Sequence, residues 1–262
     1  MLYALGLGYG SDPLDPTQID FVFEETLKIV PSMVNVIAHP GFWIKAPELG
    51  IDWVKVLHAE QAFEIHRPLR TTGRMRGEYR IVSVEDKGPE KGAILTMEKA
   101  LVDCETEERS ATVTQVVFMR GDGGQGGFGT PSHISAPLPD KPPERVVDIP
   151  TMPQIALVYR LSGDYNPIHA HPEVARKAGF DRPILHGLCT MGLATRAVVE
   201  TYCKGYPERL TSMSVRFAKP VYPGETIRTE FFEVGEEIRF RCRVVERDLI
   251  VLDRGAAKIT EG

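Results

Sequence analysis

The second half of the chain places one long helical pattern directly before a series of strand patterns, and that order leaves few ways to fold. From about residue 186 to 202, Leu188, Met191, Thr195 (through its methyl), Val198 and Tyr202 recur at three- and four-residue steps, the period of one helix face. Strand-like runs follow over 212–218, 226–234, 238–246 and 249–259. Turns are marked by Pro223-Gly224, Gly235-Glu236 and Arg247-Asp248. A single helix and a set of antiparallel strands bury their apolar faces against each other, which predicts an α+β unit with a sheet wrapped on a helix. A shorter helix is predicted over 172–178, with Pro172 at its first position, Glu173 in its first turn, Lys177 in its last and Gly179 at its stop.

The first half reads as a worn version of the same plan. A helical segment is predicted over 52–65, then strands over 77–86, 93–104 and 110–119. Leu57-His58-Ala59 echoes Leu185-His186-Gly187, a tripeptide match consistent with internal duplication. Between the halves, residues 121–144 (GDGGQGGFGTPSHISAPLPDKPPE) are rich in Gly and Pro and lack periodicity, and they read as an extended linker.

Composition narrows the classes of function. A chain of 262 residues forms one large or two small domains and needs no metal or disulfide staple. Its net charge of −5 argues against a general nucleic-acid binder. Four cysteines with no CxxC pair support neither a disulfide framework nor a zinc site, and suit a reducing cytoplasm. No apolar run is long enough for a membrane span. The first residues lack a basic secretory start, and the last are not the SKL peroxisomal address.

Residues 160–187 carry the chemistry. Asp164 and His169 stand five apart with Pro167 between them, so Gly163 and Asn166-Pro167 shape a turn rather than a helix. A carboxylate beside an imidazole divides the work of general base and general acid near neutral pH. Asn166 both donates and accepts hydrogen bonds, which suits it to fixing the pair or a ligand. The same residues serve equally as plain turn formers before a helix. Gly187, just inside a helix start, keeps its N–H outside the intrahelical ladder. There it either stabilises a carbonyl oxygen that gains charge or merely allows close packing against a strand.

Ser162-Gly163-Asp164-Tyr165-Asn166-Pro167-Ile168-His169 resembles the signature of the R-specific enoyl-CoA hydratases of the MaoC-like hot-dog superfamily. The resemblance continues through residues 183–190 (PILHGLCT) and 216–224 (RFAKPVYPG). In the first half it rests on Tyr3-Ala4-Leu5-Gly6, Leu57-His58, Asp86-Lys87-Gly88 and Gly127-Phe128-Gly129. It implies a double hot-dog, each unit an antiparallel sheet around a central helix. The units are then a non-catalytic, acyl-binding one over 1–120 and a catalytic one over 146–262, joined by a linker over 121–145. It implies reversible hydration of a trans-2-enoyl-CoA to a (3R)-3-hydroxyacyl-CoA, with no cofactor and a homodimeric protein. Asp164 and His169 would activate the water, Asn166 would orient the loop, and the Gly187 N–H would polarise the thioester carbonyl. His58, Lys87, Tyr165 and Phe217 match positions lining the acyl-CoA site, Lys87 as a cation for phosphate. One departure is Ala59, where related sequences often carry Gly.

Two other readings compete. A metal-dependent hydrolase would use Asp164, His169, His171 and His186, but Pro172 and its helix turn His171 away and no second carboxylate is near. A hot-dog thioesterase, or a non-catalytic acyl-CoA-binding relative, shares the fold, and the intact Asp/Asn/His loop favours hydration. GLGYG at residues 6–10 lacks a preceding strand, and GDGGQGGFG lacks the GK[ST] ending of a phosphate loop. His39, His66 and His133 read as solvated or structural, and Trp43 and Trp53 as packing the first unit.

Overall fold

A computed structural model describes residues 1–131 and 137–260. Its frame is one antiparallel sheet of nine strands: β1 (Val56–Ile65), β2 (Met75–Asp86), β3 (Ala93–Asp103), β4 (Arg109–Met119), β5 (Arg145–Pro150), β6 (Leu210–Phe217), β7 (Thr226–Val234), β8 (Glu237–Val244) and β9 (Leu249–Ile259). The strand order is β2-β3-β4-β1-β6-β9-β8-β7-β5. Read outward from the centre, β1-β4-β3-β2 mirrors β6-β9-β8-β7, so the two halves repeat one topology. They join where β1 pairs with β6, from Glu60 opposite Arg216 to Glu64 opposite Ser212.

The helices are α1 (Leu2–Leu5), α2 (Pro16–Ile19), α3 (Ile155–Tyr159), α4 (Pro172–Lys177) and α5 (Gly187–Tyr202). Every residue of α5 from Cys189 to Val199 is buried, so the helix is enclosed on all sides rather than on one stripe. Its surroundings come from both halves. Asn35, in the 3-10 turn Pro31–Asn35, donates to the Met191 sulfur, and the Cys189 thiol meets the Gly6 carbonyl. A β-carbon at Gly192 would lie 2.4 Å from a Leu7 methyl, so glycine there lets the N-terminal segment close over the helix. Arg196 is buried beside it, paired with Glu200 and stacked over Tyr9.

The double hot-dog arrangement is present, with one central helix serving both halves. The helix expected over 52–65 is instead a 3-10 turn, Trp53–Lys55, followed by β1. The helix-favouring Ala59-Glu60-Gln61 run yields to ladders on both sides, since β1 pairs with β4 and with β6. In the first half the segment ahead of the sheet is broken by Pro31, Pro40, Gly41, Pro47 and Gly50 into 3-10 turns, and no second long helix forms among the described residues. β5 was not expected; it pairs with β7 at the outer edge. Trp43 packs on the small cluster of Ala93, Leu95, Met97, Val117 and Met119. Trp53 departs from the expected packing: it is 41% exposed, edge-on to Phe42 and beneath Lys45.

Residues 121–131, read as part of the linker, are folded against the outer edge of β2. Val84 and Phe128 exchange both backbone hydrogen bonds, 2.9 and 3.0 Å. The Asp86 carboxylate accepts from the N–H groups of Gly88, Gly124 and Gly126, and these donors hold it below the usual carboxylate range. β-Carbons at Gly123, Gly127 and Gly129 would lie 2.1–2.3 Å from backbone carbonyl oxygens. These glycines give close backbone approach, not flexibility, and the segment shields an edge strand. The 132–136 part of the expected linker, including His133, and residues 261–262 lie outside the described residues.

Candidate active site

The loop from Gly163 to His169 is built turn by turn. Gly163, at φ +121°, ends the 3-10 turn Arg160–Ser162 in a conformation few other residues adopt. The Asp164 carboxylate accepts the Asn166 N–H at 3.0 Å, and the Asn166 side chain accepts the Ile168 N–H at 3.3 Å, capping the turn Pro167–His169. The Ile184 N–H donates back to the Ile168 carbonyl. His169 Nδ1 then lies 2.8 Å from the Ile184 carbonyl. A carbonyl only accepts, so Nδ1 carries the proton and Nε2 keeps a free lone pair. Burial lowers the His169 pKa, against the opposing pull of that bond and of the Asp164 charge.

His186 ties the loop to α5. Its Nε2–H donates to the Asp164 backbone carbonyl at 3.2 Å, and its ring stacks on His169 with centroids 3.7 Å apart and planes 27° apart. Burial, with the neighbouring His169 adding to it, pushes its pKa down to about 4. His186 Nδ1 is buried without a partner among the described residues. Sequence reasoning weighed His186 only as a metal ligand and missed this buttressing role. Its signal was the position itself, a poor helix cap directly before Gly187.

At the start of α5 the Gly187 N–H has no acceptor among the described residues. A β-carbon on Gly187 would lie 3.1 Å from the Phe217 ring. Phe217 in turn packs on His58 with centroids 4.6 Å apart. His58 stands before Ala59, the extra residue of a bulge in β1, and its Nε2 meets Gln61 at 2.9 Å. Burial pushes the His58 pKa down to about 4. So the fold brings Asp164, Asn166, His169, His186, Gly187, Phe217 and His58 into one chain of contacts. Lys87 stands apart, paired with Glu85 at the turn after β2, and β2 is three strand spacings or about 14 Å from β1. Tyr165 is exposed, with the Arg160 guanidinium 5.0 Å above its ring.

Donor atoms of Asp164, His169 and His186 lie within 4.8 Å of one another, the spacing a metal ion would need. The ring geometry opposes it. Imidazole lone pairs lie in the ring plane, so two rings stacked nearly parallel do not converge on one ion. His171 begins α4 outside the cluster.

Comparison with known proteins decides the family. Residues 135–254 match the MaoC-like domain, and residues 1–121 match the MFE-2 hydratase 2 N-terminal domain. A curated relative from Arabidopsis thaliana, peroxisomal enoyl-CoA hydratase 2, is 34% identical over 96% of this chain and 86% of its own. This chain belongs to the MaoC-like hydratase 2 family. Another member, 3-hydroxyacyl-thioester dehydratase Y of Mycobacterium tuberculosis, is 36% identical over 100% of this chain and 92% of its own. The crystal structure of a MaoC-like dehydratase from Phytophthora capsici superimposes with a TM-score of 0.87 at 32% identity, covering 99% of this chain and 90% of that one. No helix among the described residues of this MaoC-like protein is long and apolar enough to cross a membrane.

Proposed function

We propose that this chain catalyses the reversible addition of water to the 2,3 double bond of a trans-2-enoyl-CoA, giving a (3R)-3-hydroxyacyl-CoA. One observation carries the reading: His169 has its Nδ1–H engaged by the Ile184 carbonyl, its Nε2 free and its pKa lowered, within reach of the Asp164 carboxylate. In this reading a water molecule lies between Asp164 and His169 Nε2. One of them takes a proton as the water oxygen bonds to C3. The electron pair of the double bond moves toward the thioester oxygen, which gains negative charge against the Gly187 N–H at the positive end of α5. The proton then returns to C2, so one water is consumed and nothing else. Asn166 holds the loop, while His58 and Phe217 shape the wall beside the reacting carbons. Lys87 meets phosphate and Tyr165 borders the entrance.

Acid–base groups of this kind contribute about 10²–10⁴-fold and one oxyanion donor about 10²–10³-fold, enough for hydration without a metal or organic cofactor. The acting form in this proposal is a homodimer in the cytoplasm, which sedimentation analysis and cell imaging check. Crotonyl-CoA mixed with the protein is expected to lose the ultraviolet absorbance of its conjugated thioester with no free thiol formed, at a rate indifferent to EDTA. Thiol release would make the protein a thioesterase, and unchanged crotonyl-CoA a binding protein.

A further inference from the structure

Three buried side chains, Met191, Asn35 and Gln61, connect α5 to the wall of the candidate site, and their hydrogen bonds run in one order only. The Met191 sulfur accepts a hydrogen bond and has none to donate. The Asn35 amide nitrogen faces it at 3.7 Å; an oxygen in that place would find no donor. Asn35 Oδ1 is then left for Gln61, which donates its Nε2–H at 2.9 Å. That turns Gln61 Oε1 toward His58 Nε2, 2.9 Å away. An amide oxygen only accepts, so the His58 proton stands on Nε2.

The reverse order lacks support at both ends. It would turn the Asn35 oxygen against an acceptor-only sulfur and flip every amide after it. At the far end, Gln115 offers its amide nitrogen to His58 Nε2, but at 3.4 Å against 2.9 Å for Gln61, and only an unprotonated Nε2 accepts it. The start of the chain is anchored as well. The Lys99 ammonium holds the 3-10 turn that carries Asn35, with its three protons on the carbonyls of Val34, Asn35 and Ile37 at 2.7, 3.2 and 2.7 Å. Asn35 and Gln61 are each buried, so a broken link leaves polar groups without bulk water to replace it.

Resting on the hydratase reading, we propose that Met191, Asn35 and Gln61 are positioning residues, which fix His58 as the neutral Nε2–H tautomer and, through its ring, the Phe217 ring that stands against Gly187. His58 packs on Phe217 with centroids 4.6 Å apart, and Phe217 lies 3.1 Å from where a β-carbon on Gly187 would be. A His58 ring held at one nitrogen keeps Phe217 in place. Phe217 in turn sets how closely a thioester oxygen approaches the Gly187 N–H, a distance on which rate depends steeply.

Nuclear magnetic resonance of protein carrying ¹⁵N-labelled histidine reads the tautomer, with His58 identified by the signals missing from His58→Phe. Wild-type His58 is expected to show a protonated Nε2 and a bare Nδ1; a proton on Nδ1, or on both, overturns the inference. Met191→Leu keeps the volume of the side chain and leaves one Asn35 group unpaired in either order, so at least about a tenth of His58 should carry its proton on Nδ1. An unchanged pattern in that variant overturns the inference. Gln61→Met takes out the middle link, and its kcat with crotonyl-CoA is expected to fall at least about tenfold with KM altered less than about threefold. Wild-type kcat in the folded variant overturns the positioning role. If Gln61→Met does not fold, Asn35→Leu, which removes the partner of Gln61 and leaves Gln61 itself, is read in its place with the same expectation. The tautomer is read without substrate, so its failure is distinct from that of the hydratase reading; wild-type protein that leaves crotonyl-CoA unchanged removes that reading and the positioning role with it.

Discussion

Two backbone carbonyls fix the imidazole rings beside Asp164. Ile184 sets the His169 tautomer, and the Asp164 carbonyl holds His186 against the other face. Asp164→Asn and His169→Ala are each expected to lower kcat by about 10²–10⁴-fold, with circular dichroism unchanged. His186→Phe keeps an aromatic ring on His169 but loses the hydrogen bond to the loop. A neutral hydrogen bond is worth about 1 kcal/mol, so kcat should fall about fivefold with KM little altered. Acidity acts on rate and stability alike. Because burial lowers the His169 pKa, kcat/KM should fall on the acid side only below the ordinary histidine value of about 6.5. His58 and His186 are held near 4 in the folded protein, while the unfolded chain binds those protons near 6.5. The unfolded state therefore binds more protons between those values, and the melting temperature should drop as pH falls from about 6.5 to about 4. A flat melting temperature across that window would contradict the burial of these rings.

At the level of elements, the glycine-rich segment makes the sharpest prediction. Gly127→Ala would put a β-carbon 2.3 Å from the Val84 carbonyl oxygen, and should cost about 1–3 kcal/mol, read as a lower midpoint in denaturant. The same segment shows where sequence reading fails. Glycines that allow close approach and glycines that allow freedom have the same composition, and only the partner strand tells them apart. α5 was legible because its apolar positions keep the helical period, and β7 and β9 because their turns are marked by Gly and Asp. The loop from Gly163 to His169 was legible because its turn chemistry is local. β1 was not: its Ala-Glu-Gln run favours a helix, and what makes it a strand is pairing on both sides with residues more than 40 positions away. The burial of Lys99 was not legible for the same reason, since the carbonyls of Val34, Asn35 and Ile37 that hold its ammonium lie more than 60 positions away.

Across the whole molecule, the β1–β6 seam and the shared helix α5 make the two halves one folding unit. Trp43 and Trp53, the only two tryptophans, both lie in the first half, whereas α5 lies in the second. Tryptophan fluorescence and the helical circular dichroism signal should therefore lose structure in a single coincident transition. Two separated transitions would mean that the halves fold independently. The family resemblance read from residues 162–169 holds for the chain from end to end, while the expectation of a second central helix does not. The central claim is that an imidazole with one nitrogen anchored and the other free adds water to an enoyl thioester beside a main-chain amide. Chiral analysis of the product from crotonyl-CoA tests it most directly. The account predicts 3-hydroxybutyryl-CoA of R configuration, made by the wild-type protein and almost absent with His169→Ala; S product, or equal yield from the variant, would contradict it.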